Sequence, residues 1–247
     1  MTSVAVTDAV ARPPARARTK PAFYLGIAFF MVGLVVVGFW PTYFGRLVRG
    51  DIARPLVVQI HGLVFVGWMA LLVAQIVLAW RGRVQMHRRV GRWGIAYGIL
   101  VLVMGVIVGI AAPVMHAHAG DWTRDRAAGF LLITFGDMVL FGSLFGAAIM
   151  YRRTPEIHKR LMLAATVALL FAAIGRMRFL DPWPSVQTVV WLSPLLVGML
   201  YDWRARGRPH VAYVISAAWL FVGATRVLLT ESEGWLRIGR AILAAFV

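Results

Sequence analysis

Residues 59–75, QIHGLVFVGWMALLVAQ, decide the fold class because they place a histidine and a glutamine in an otherwise almost wholly apolar run. Comparable apolar stretches of about 20 residues, long enough to cross a bilayer as helices, recur along the chain. In hydrocarbon a polar side chain needs a partner within the protein, and ionisable ones are commonly functional. The pattern predicts an all-α, polytopic transmembrane bundle with polar groups in its interior.

The composition also favours a membrane protein. Of the 247 residues, 60% are hydrophobic and 15% are charged, and the mean hydropathy is +0.76. Soluble domains average about 25% charged and 45–50% apolar residues, so the chain lies outside that class. It has no cysteine, which excludes disulfides, thiolate metal sites and cysteine nucleophiles.

Hydropathy divides the chain into a basic tail (1–21), a seven-helix transmembrane domain (22–230) and an outer-face tail (231–247). The first tail is rich in Pro, Ala and Arg and is predicted to be disordered. The last stretch is too short to cross and is predicted to form an interfacial helix. The predicted spans are residues 22–40, 55–80, 93–115, 127–151, 160–180, 185–201 and 211–230. An alternative with six spans makes the short sixth one re-entrant.

The distribution of basic residues predicts the orientation. With the N-terminus inside, 16 Lys and Arg residues fall in inner segments and nine in outer segments, as the positive-inside rule requires. The formal net charge of +16 is therefore attributed to arginines in cytoplasmic loops next to the lipid bilayer. No nucleic-acid partner is expected. Tryptophans at predicted span ends mark the interfaces: Trp40, Trp80, Trp93, Trp183 and Trp203.

Four ionisable residues on four spans are predicted to share the outer half of the bilayer. At 1.5 Å per residue, His61 lies about 9 Å below the outer surface, Asp137 about 15 Å, Arg226 about 6–8 Å and Arg176 about 6 Å. Leaving each unpaired near the centre of a lone helix would cost roughly 2.5–3.5 kcal/mol. They are therefore expected to line a polar pocket that binds a small molecule.

His61 begins a heptad series with Trp68 and Gln75, so the three residues share one helix face that must point into the bundle. Trp68 and Gln75 therefore join the four ionisable residues in the predicted polar pocket. His61 is interpreted as a substrate or proton-relay residue, as a haem or metal ligand, or as a hydrogen-bonding clamp between helices. Asp137 is either a counter-ion to Arg176 or Arg226 in a binding site or one half of a structural ion pair.

The other histidines suggest a b-type haem as a further hypothesis. A membrane haem needs two axial histidines at one level, and His87 and His158 match in depth better than His61 does with His116 or His118. His87, His158 and His210 also suit interfacial anchoring, since each lies in a basic loop. The cofactor-binding candidates are His61, His87 and His158, and no metal site is predicted.

Several classes of protein are excluded by the sequence. The only two lysines, Lys20 and Lys159, lie outside the apolar spans, which excludes a retinal Schiff base. No P-loop, GxSxG, HExxH or dinucleotide fingerprint occurs. Three hypotheses remain: a redox or cofactor-binding membrane protein with haem or quinone, a carrier or sensor for a small anionic solute, and a non-catalytic accessory or assembly subunit.

Residues 60–98, IHGLVFVGWMALLVAQIVLAWRGRVQMHRRVGRWGIAYG, resemble a pattern in a family of uncharacterised bacterial multi-pass inner-membrane proteins. That pattern pairs an intramembrane His and Gln with a following His-Arg and Gly-Arg loop. The segments GFWPTYFGR (38–46) and HKRLMLAATVALLFAAIGR (158–176) resemble the same family. The resemblance implies a bacterial inner (plasma) membrane location and no particular activity. A more distant likeness to membrane b-type cytochromes rests on histidines near helix ends.

Overall fold

Helices form all the regular secondary structure of residues 21–51 and 54–246, the part of the chain that the computed structural model describes. Within it the α-helices are α1 (Pro21–Phe39), α2 (Gly45–Val48), α3 (Leu56–Trp80), α4 (Val84–His118), α5 (Arg124–Met150), α6 (Pro155–Ile174), α7 (Pro184–Arg206), α8 (Val211–Ala224) and α9 (Glu233–Leu243). Two 3-10 turns, Arg178–Leu180 and Thr225–Leu229, follow α6 and α8. The predicted disordered tail lies, except for Pro21, outside the described residues.

Seven helical segments are long and apolar enough to cross a membrane, which confirms the predicted all-α seven-span bundle. The chain is therefore a multi-pass membrane protein. The sixth segment, α7, has 23 residues and is about 34 Å long at 1.5 Å per residue, enough to cross the hydrocarbon. The six-span alternative is wrong for this reason.

Short connections reverse the chain between spans, so the loops alternate between two ends of the bundle. The basic end carries the start of α1 and the loops 81–83, 151–154 and 207–210. The opposite end carries residues 49–51 and 54–55 and the loops 119–123, 175–183 and 230–232.

Two helix boundaries differ from the prediction. The third span begins at Val84 rather than near residue 93, because the basic segment QMHRRVGRW continues the helix beyond the hydrocarbon. The fifth span ends at Ile174 rather than near residue 180. Arg176 is consequently in the turn after α6, and not within the helix as predicted.

The first span changes its winding at Trp40–Phe44, which forms a π-helical turn. Pro41 has no backbone N–H, so it cannot continue the α-helical hydrogen-bond ladder. The ladder widens instead, and the N–H of Gly45 donates to the carbonyl of Trp40. The helix then resumes as α2 and reaches the opposite end.

The fifth span, α6, lies at the centre of the bundle and packs against α1, α5, α7 and α8. Its buried face is rich in alanine, which lets four neighbours approach closely. Glycines perform the same function between α4 and α5, where the Cβ positions of Gly98, Gly105 and Gly109 are filled by side chains of the facing helix.

A short helix, α9, is present where the sequence predicts an interfacial one. Its 11 residues cover about 16 Å, too little to cross a membrane. Leu236 and Leu243 are buried against the first turns of α5. The indole N–H of Trp235 donates to the carbonyl of Ala128 at 2.8 Å, and Arg240 pairs with Asp125. The helix is thereby fixed across the start of α5.

The five tryptophans that were predicted to mark the membrane interfaces all have exposed side chains. Trp93 is the most exposed of them at 81%, and it lies inside α4 rather than at its start. This position agrees with a helix whose basic first turns extend beyond the hydrocarbon.

The contact between α1 and α6 gives a prediction for Gly38→Val. A Cβ on Gly38 would overlap the backbone carbonyl of Ala173, which a side-chain rotation cannot relieve. We expect the free energy of unfolding to fall by about 1–3 kcal/mol, as is typical of overpacking, in a denaturing-detergent titration. Gly33→Val on the same helix is the control, because a Cβ there meets open space. Equal losses in both variants would contradict the described contact.

Candidate functional site

An ion pair between Asp137 and Arg226 joins α5 to the end of the last span. Arg226, in the 3-10 turn after α8, donates from Nη2 to Oδ1 of Asp137 and from Nη1 to the carbonyl of Gly223 at 2.5 Å. Asp137 is 6% exposed and Arg226 is 8% exposed. The pair predicted from the sequence is therefore present and buried.

The surroundings hold Arg226 in one conformation. Its side chain passes over Gly136 at a point where any Cβ would overlap it. Its guanidinium lies 4.5 Å from the centre of the Phe171 ring on α6, a cation–π contact. Within the described residues its Nε has no hydrogen-bond partner. Arg226 thus connects α5, α6 and α8.

A second guanidinium, that of Arg176, lies near the same carboxylate. Arg176 is half-buried, donates from Nη1 to the carbonyl of Ala172 at 2.6 Å, and lies 4.6 Å from the ring centre of Phe39. Its charge interacts with that of Asp137. Since one carboxylate faces two guanidiniums, the cluster has a formal charge of +1.

His61 completes the cluster from α3. Its ring packs on Phe65 with 4.2 Å between the ring centres and interacts electrostatically with Arg176. In the described part of the chain, its Nδ1 is buried without a hydrogen-bond partner. A buried polar atom without a partner costs about 1–3 kcal/mol, and the cluster contains two atoms that lack one among the described residues, Nδ1 of His61 and Nε of Arg226.

The structure thus brings together four of the six residues predicted to line the pocket. We call His61, Asp137, Arg176 and Arg226 the His61 site, which lies toward the opposite end. Trp68 is about 10 Å further along α3, in the core, where its indole N–H donates to Thr166 at 3.2 Å. Gln75 is about 21 Å from His61 along the helix, near the basic end. The heptad spacing identified a shared face but not a shared depth.

Gln75, His87 and His158 form a separate polar cluster at the basic end. Nδ1 of His87 lies 3.2 Å from the backbone carbonyl of Gln75, and Nδ1 of His158 lies 2.7 Å from that of Ala148. With its amide oxygen oriented toward Gly91, Gln75 accepts from that residue's N–H at 2.9 Å. Each imidazole therefore ties the start of one span to the end of the preceding one.

The histidine positions bear on the haem hypothesis. His61 faces the backbone of Met104 on α4, and His116 lies about 18 Å further along that helix. A haem at the His61 site would therefore have one axial histidine from this pair of helices. His87 and His158 are close enough to interact electrostatically, so they remain the better matched pair. His116 bonds to Asp121 at 3.2 Å and stacks on Trp122, while His118 is exposed.

Among residues 21–51 and 54–246, no group of three or more His, Asp or Glu side chains is arranged to hold a metal ion. The His-x-His pair 116–118 therefore gains no third ligand from the described residues.

A buried charge network at the basic end was not predicted from the sequence. Arg160 is fully buried and makes two hydrogen bonds to the Asp202 carboxylate, from Nε at 2.9 Å and from Nη2 at 2.7 Å. Its Nη1 reaches Glu156 at 2.8 Å, and Arg206 donates to the same Glu156 oxygen at 2.6 Å. The network locks the start of α6 to the end of α7.

A signal for this network was present in the sequence. Glu156 and Arg160, and likewise Asp202 and Arg206, are spaced by four residues, as in helical ion pairs. Acidic residues are scarce, with ten against 26 basic ones, so an acid near the end of an apolar span is itself informative. Arg160 stands at the first position of the predicted span 160–180, so it was counted among the basic residues of the inner segments rather than as a buried charge.

His210 connects this network to α8. Its backbone N–H donates to Asp202 at 3.3 Å, and its Nδ1 accepts from the N–H of Ala212 at 3.1 Å, which caps the helix. Partial burial and then the charge of Arg160 lower the pKa of His210. The neutral ring that the cap requires is therefore favoured near neutral pH, and its stabilising contribution is lost as the pH falls through the lowered pKa.

Comparisons of the chain with protein-family models, curated proteins and solved structures find no match.

Replacing one member of the buried pair should strongly destabilise the protein. Asp137→Leu leaves the Arg226 guanidinium buried without its carboxylate, and we expect the free energy of unfolding to fall by about 3–5 kcal/mol. Combining it with Arg226→Met should recover most of the loss, because the uncompensated charge is removed. The measurement is a denaturing-detergent titration monitored by circular dichroism.

Asp181→Leu is the control for that series, since Asp181 is an exposed acid at the same end. A double variant no more stable than Asp137→Leu alone would show that the Arg226 charge is not what makes the single substitution costly.

Proposed function

We propose that the protein binds a small redox ligand with electron-rich oxygens, a quinone head group, at the His61 site within the membrane. The observation that carries the proposal is the buried Nδ1 of His61, which has no hydrogen-bond partner among the described residues and whose ring interacts electrostatically with Arg176. A quinone carbonyl or hydroquinone hydroxyl would give this nitrogen the hydrogen bond that it lacks. The coarser statement, a multi-pass membrane protein, does not depend on the proposal.

The electrostatics of the site support an oxygen-rich ligand. Asp137 is already hydrogen-bonded to Arg226, so Arg176 supplies the excess positive charge. Among the described residues, Arg176 donates from Nη1 to the carbonyl of Ala172 at the end of α6 and makes no other side-chain hydrogen bond, and a guanidinium has five N–H donors. The remaining donors of Arg176 can therefore stabilise a carbonyl oxygen, and more strongly a reduced oxygen that bears negative charge.

Aromatic rings support a planar ligand. His61 lies on Phe65, Arg176 on Phe39 and Arg226 on Phe171, with separations of 4.2, 4.6 and 4.5 Å. Each polar group thus has an apolar ring beside it. Sites for small molecules and cofactors typically combine mostly apolar walls with a few convergent polar groups, and this combination suits a quinone ring better than a fully hydrated solute.

The quinone is favoured over a b-type haem at this site because α3 and α4 supply one histidine at its level. A haem could instead use His87 and His158, whose Nδ1 atoms both lie on backbone carbonyls. Such a bond to Nδ1 is what orients the other ring nitrogen of a ligating histidine.

A second candidate function is a carrier or sensor for a small anionic solute. The formal charge of +1 on the His61 site favours it, since a carboxylate would neutralise the excess guanidinium. Either ligand would bind Arg176. A quinone would in addition offer His61 a carbonyl or hydroxyl oxygen on a planar ring. Under the third hypothesis, an accessory subunit, the Asp137–Arg226 pair only holds helices together and no ligand is bound.

The test is to measure quinone binding by protein purified in mild detergent. We expect quinone in its organic extract, and saturable binding of decylubiquinone monitored by tryptophan fluorescence. His61→Ala and Arg176→Gln should each weaken binding roughly tenfold, equivalent to about 1.4 kcal/mol. His118→Ala, an exposed histidine at the same end, should bind like the unchanged protein.

Three other results would favour the alternatives. A Soret band that disappears in His87→Ala would assign a haem. Thermal stabilisation by succinate, lost in Arg176→Gln, would indicate the anion function. If no quinone is extracted or bound, and His61→Ala changes only the melting temperature, the accessory function is the one left.

The proposed location is the inner (plasma) membrane of a bacterium, with the basic end in the cytoplasm. The excess of arginines at that end and the sequence resemblance support it. Because the chain has no cysteine, single cysteines can test it: Arg208→Cys in a basic-end loop and Ala119→Cys at the opposite end, both at exposed positions. In intact cells a membrane-impermeant maleimide should label Ala119→Cys only. Labelling of Arg208→Cys alone would reverse the orientation.

A further inference from the structure

The hairpin between α3 and α4 contains an open groove at the basic end. It has a volume of about 440 Å³ and is lined by Gly82, Arg83, Val84, Gln85, Met86 and Arg89. Gly82 has φ +69°, a conformation that favours glycine and that the tight reversal requires. The groove is separate from the His61 site, which lies toward the opposite end.

The arginines of this hairpin have no partner in the described part of the protein. All five are exposed, and none makes a side-chain hydrogen bond or ion pair with a described residue: Arg81, Arg83, Arg88, Arg89 and Arg92. The sequence explains this, because no Asp or Glu occurs between Asp51 and Asp121. Five guanidiniums thus lie together without a carboxylate on either helix of the hairpin.

Two arginines of α6 and α7 at the same end are paired, since Arg160 and Arg206 bind Glu156 and Asp202. Other exposed arginines at this end, such as Arg152 and Arg153, make no ion pair with a described residue. What distinguishes the α3–α4 hairpin is that five arginines lie together and neither of its helices carries an acid, which favours an anion from outside the protein.

The position of the groove relative to lipid indicates the kind of anion. Val84 and Met86, two of the lining residues, are exposed apolar side chains, and the exposed tryptophans Trp80 and Trp93 lie on either side of the arginine segment. Tryptophan prefers the headgroup region of a bilayer. A ligand held here would meet guanidiniums and apolar side chains at once, which suits a phospholipid better than free phosphate.

We propose that the α3–α4 hairpin is a binding site for an anionic phospholipid, with Arg83 and Arg89 contacting its phosphate and Val84 and Met86 contacting its glycerol and upper acyl chain. Arginine suits this function because its planar fork can donate two parallel hydrogen bonds to a phosphate. Clusters of Lys and Arg immediately next to a transmembrane helix are recognised sites for anionic headgroups. The inference is independent of any ligand at the His61 site.

The test uses the full-length protein in mild detergent and native mass spectrometry with added lipid. The probes are dioleoylphosphatidylglycerol, zwitterionic dioleoylphosphatidylcholine and inorganic phosphate. We expect preferential retention of the phosphatidylglycerol, which equimolar phosphate does not displace. R83Q/R89Q should bind it roughly 30-fold more weakly, as the loss of two guanidiniums at an anionic surface predicts.

R152Q/R153Q is the matched control, because it removes two exposed arginines from another loop at the same end; its affinity should stay within about threefold of the unchanged protein. Equal melting temperatures without lipid would show that both double variants are folded. Equal weakening in both would overturn the site in favour of a diffuse surface charge. Displacement of the lipid by free phosphate, or equal retention of the two lipids, would also overturn it.

Discussion

The exclusion of water from the bundle interior is the constraint on which the rest of the structure depends, because each buried charge must then find its counter-charge in the protein. Two ion pairs meet this requirement at different depths. Arg160 and Asp202 fix α6 to α7 near the basic end, and Arg226 and Asp137 fix α8 to α5 toward the opposite end. Both pairs involve the alanine-rich α6, because Arg160 is part of it and Arg226 contacts its Phe171. Small side chains and ionic contacts together therefore define the packing of the central helix.

Because water is excluded, buried side chains also differ in whether they have a hydrogen-bond partner in the protein. His87 and His158 have carbonyl partners, and the Trp68 indole has Thr166. His61 has no such partner at Nδ1 within the described residues. Nε of Arg226, in the same site, also has no partner among the described residues. A bound ligand could satisfy His61 from within the site, and for that reason the proposed function is centred on this histidine nitrogen.

The fold could be predicted from the sequence because span length and hydropathy are properties of single helices. The shared level of Asp137 and Arg226, which form an ion pair, was also predictable, since the rise per residue converts a position into a distance along its helix. Contacts between helices were less accessible. Arg160 and Asp202 are 42 residues apart, and only the arrangement of α6 against α7 brings them together. Gln75 was misplaced because its heptad spacing from His61 reports a direction around the helix and nothing about distance along it.

The order of synthesis gives the Asp137–Arg226 pair a consequence for membrane insertion. Asp137 emerges from the ribosome 89 residues before Arg226, a delay of roughly 4–18 s at typical rates of translation. During that interval the fourth span enters the membrane with a carboxyl group whose cation does not yet exist. The nascent chain must keep that span beside the insertion machinery, or carry the acid in its neutral form, until a guanidinium arrives, that of Arg176 after the fifth span or that of Arg226 after the seventh. The hydrogen-bonded Asp137–Arg226 contact itself can form only once the last span has been made.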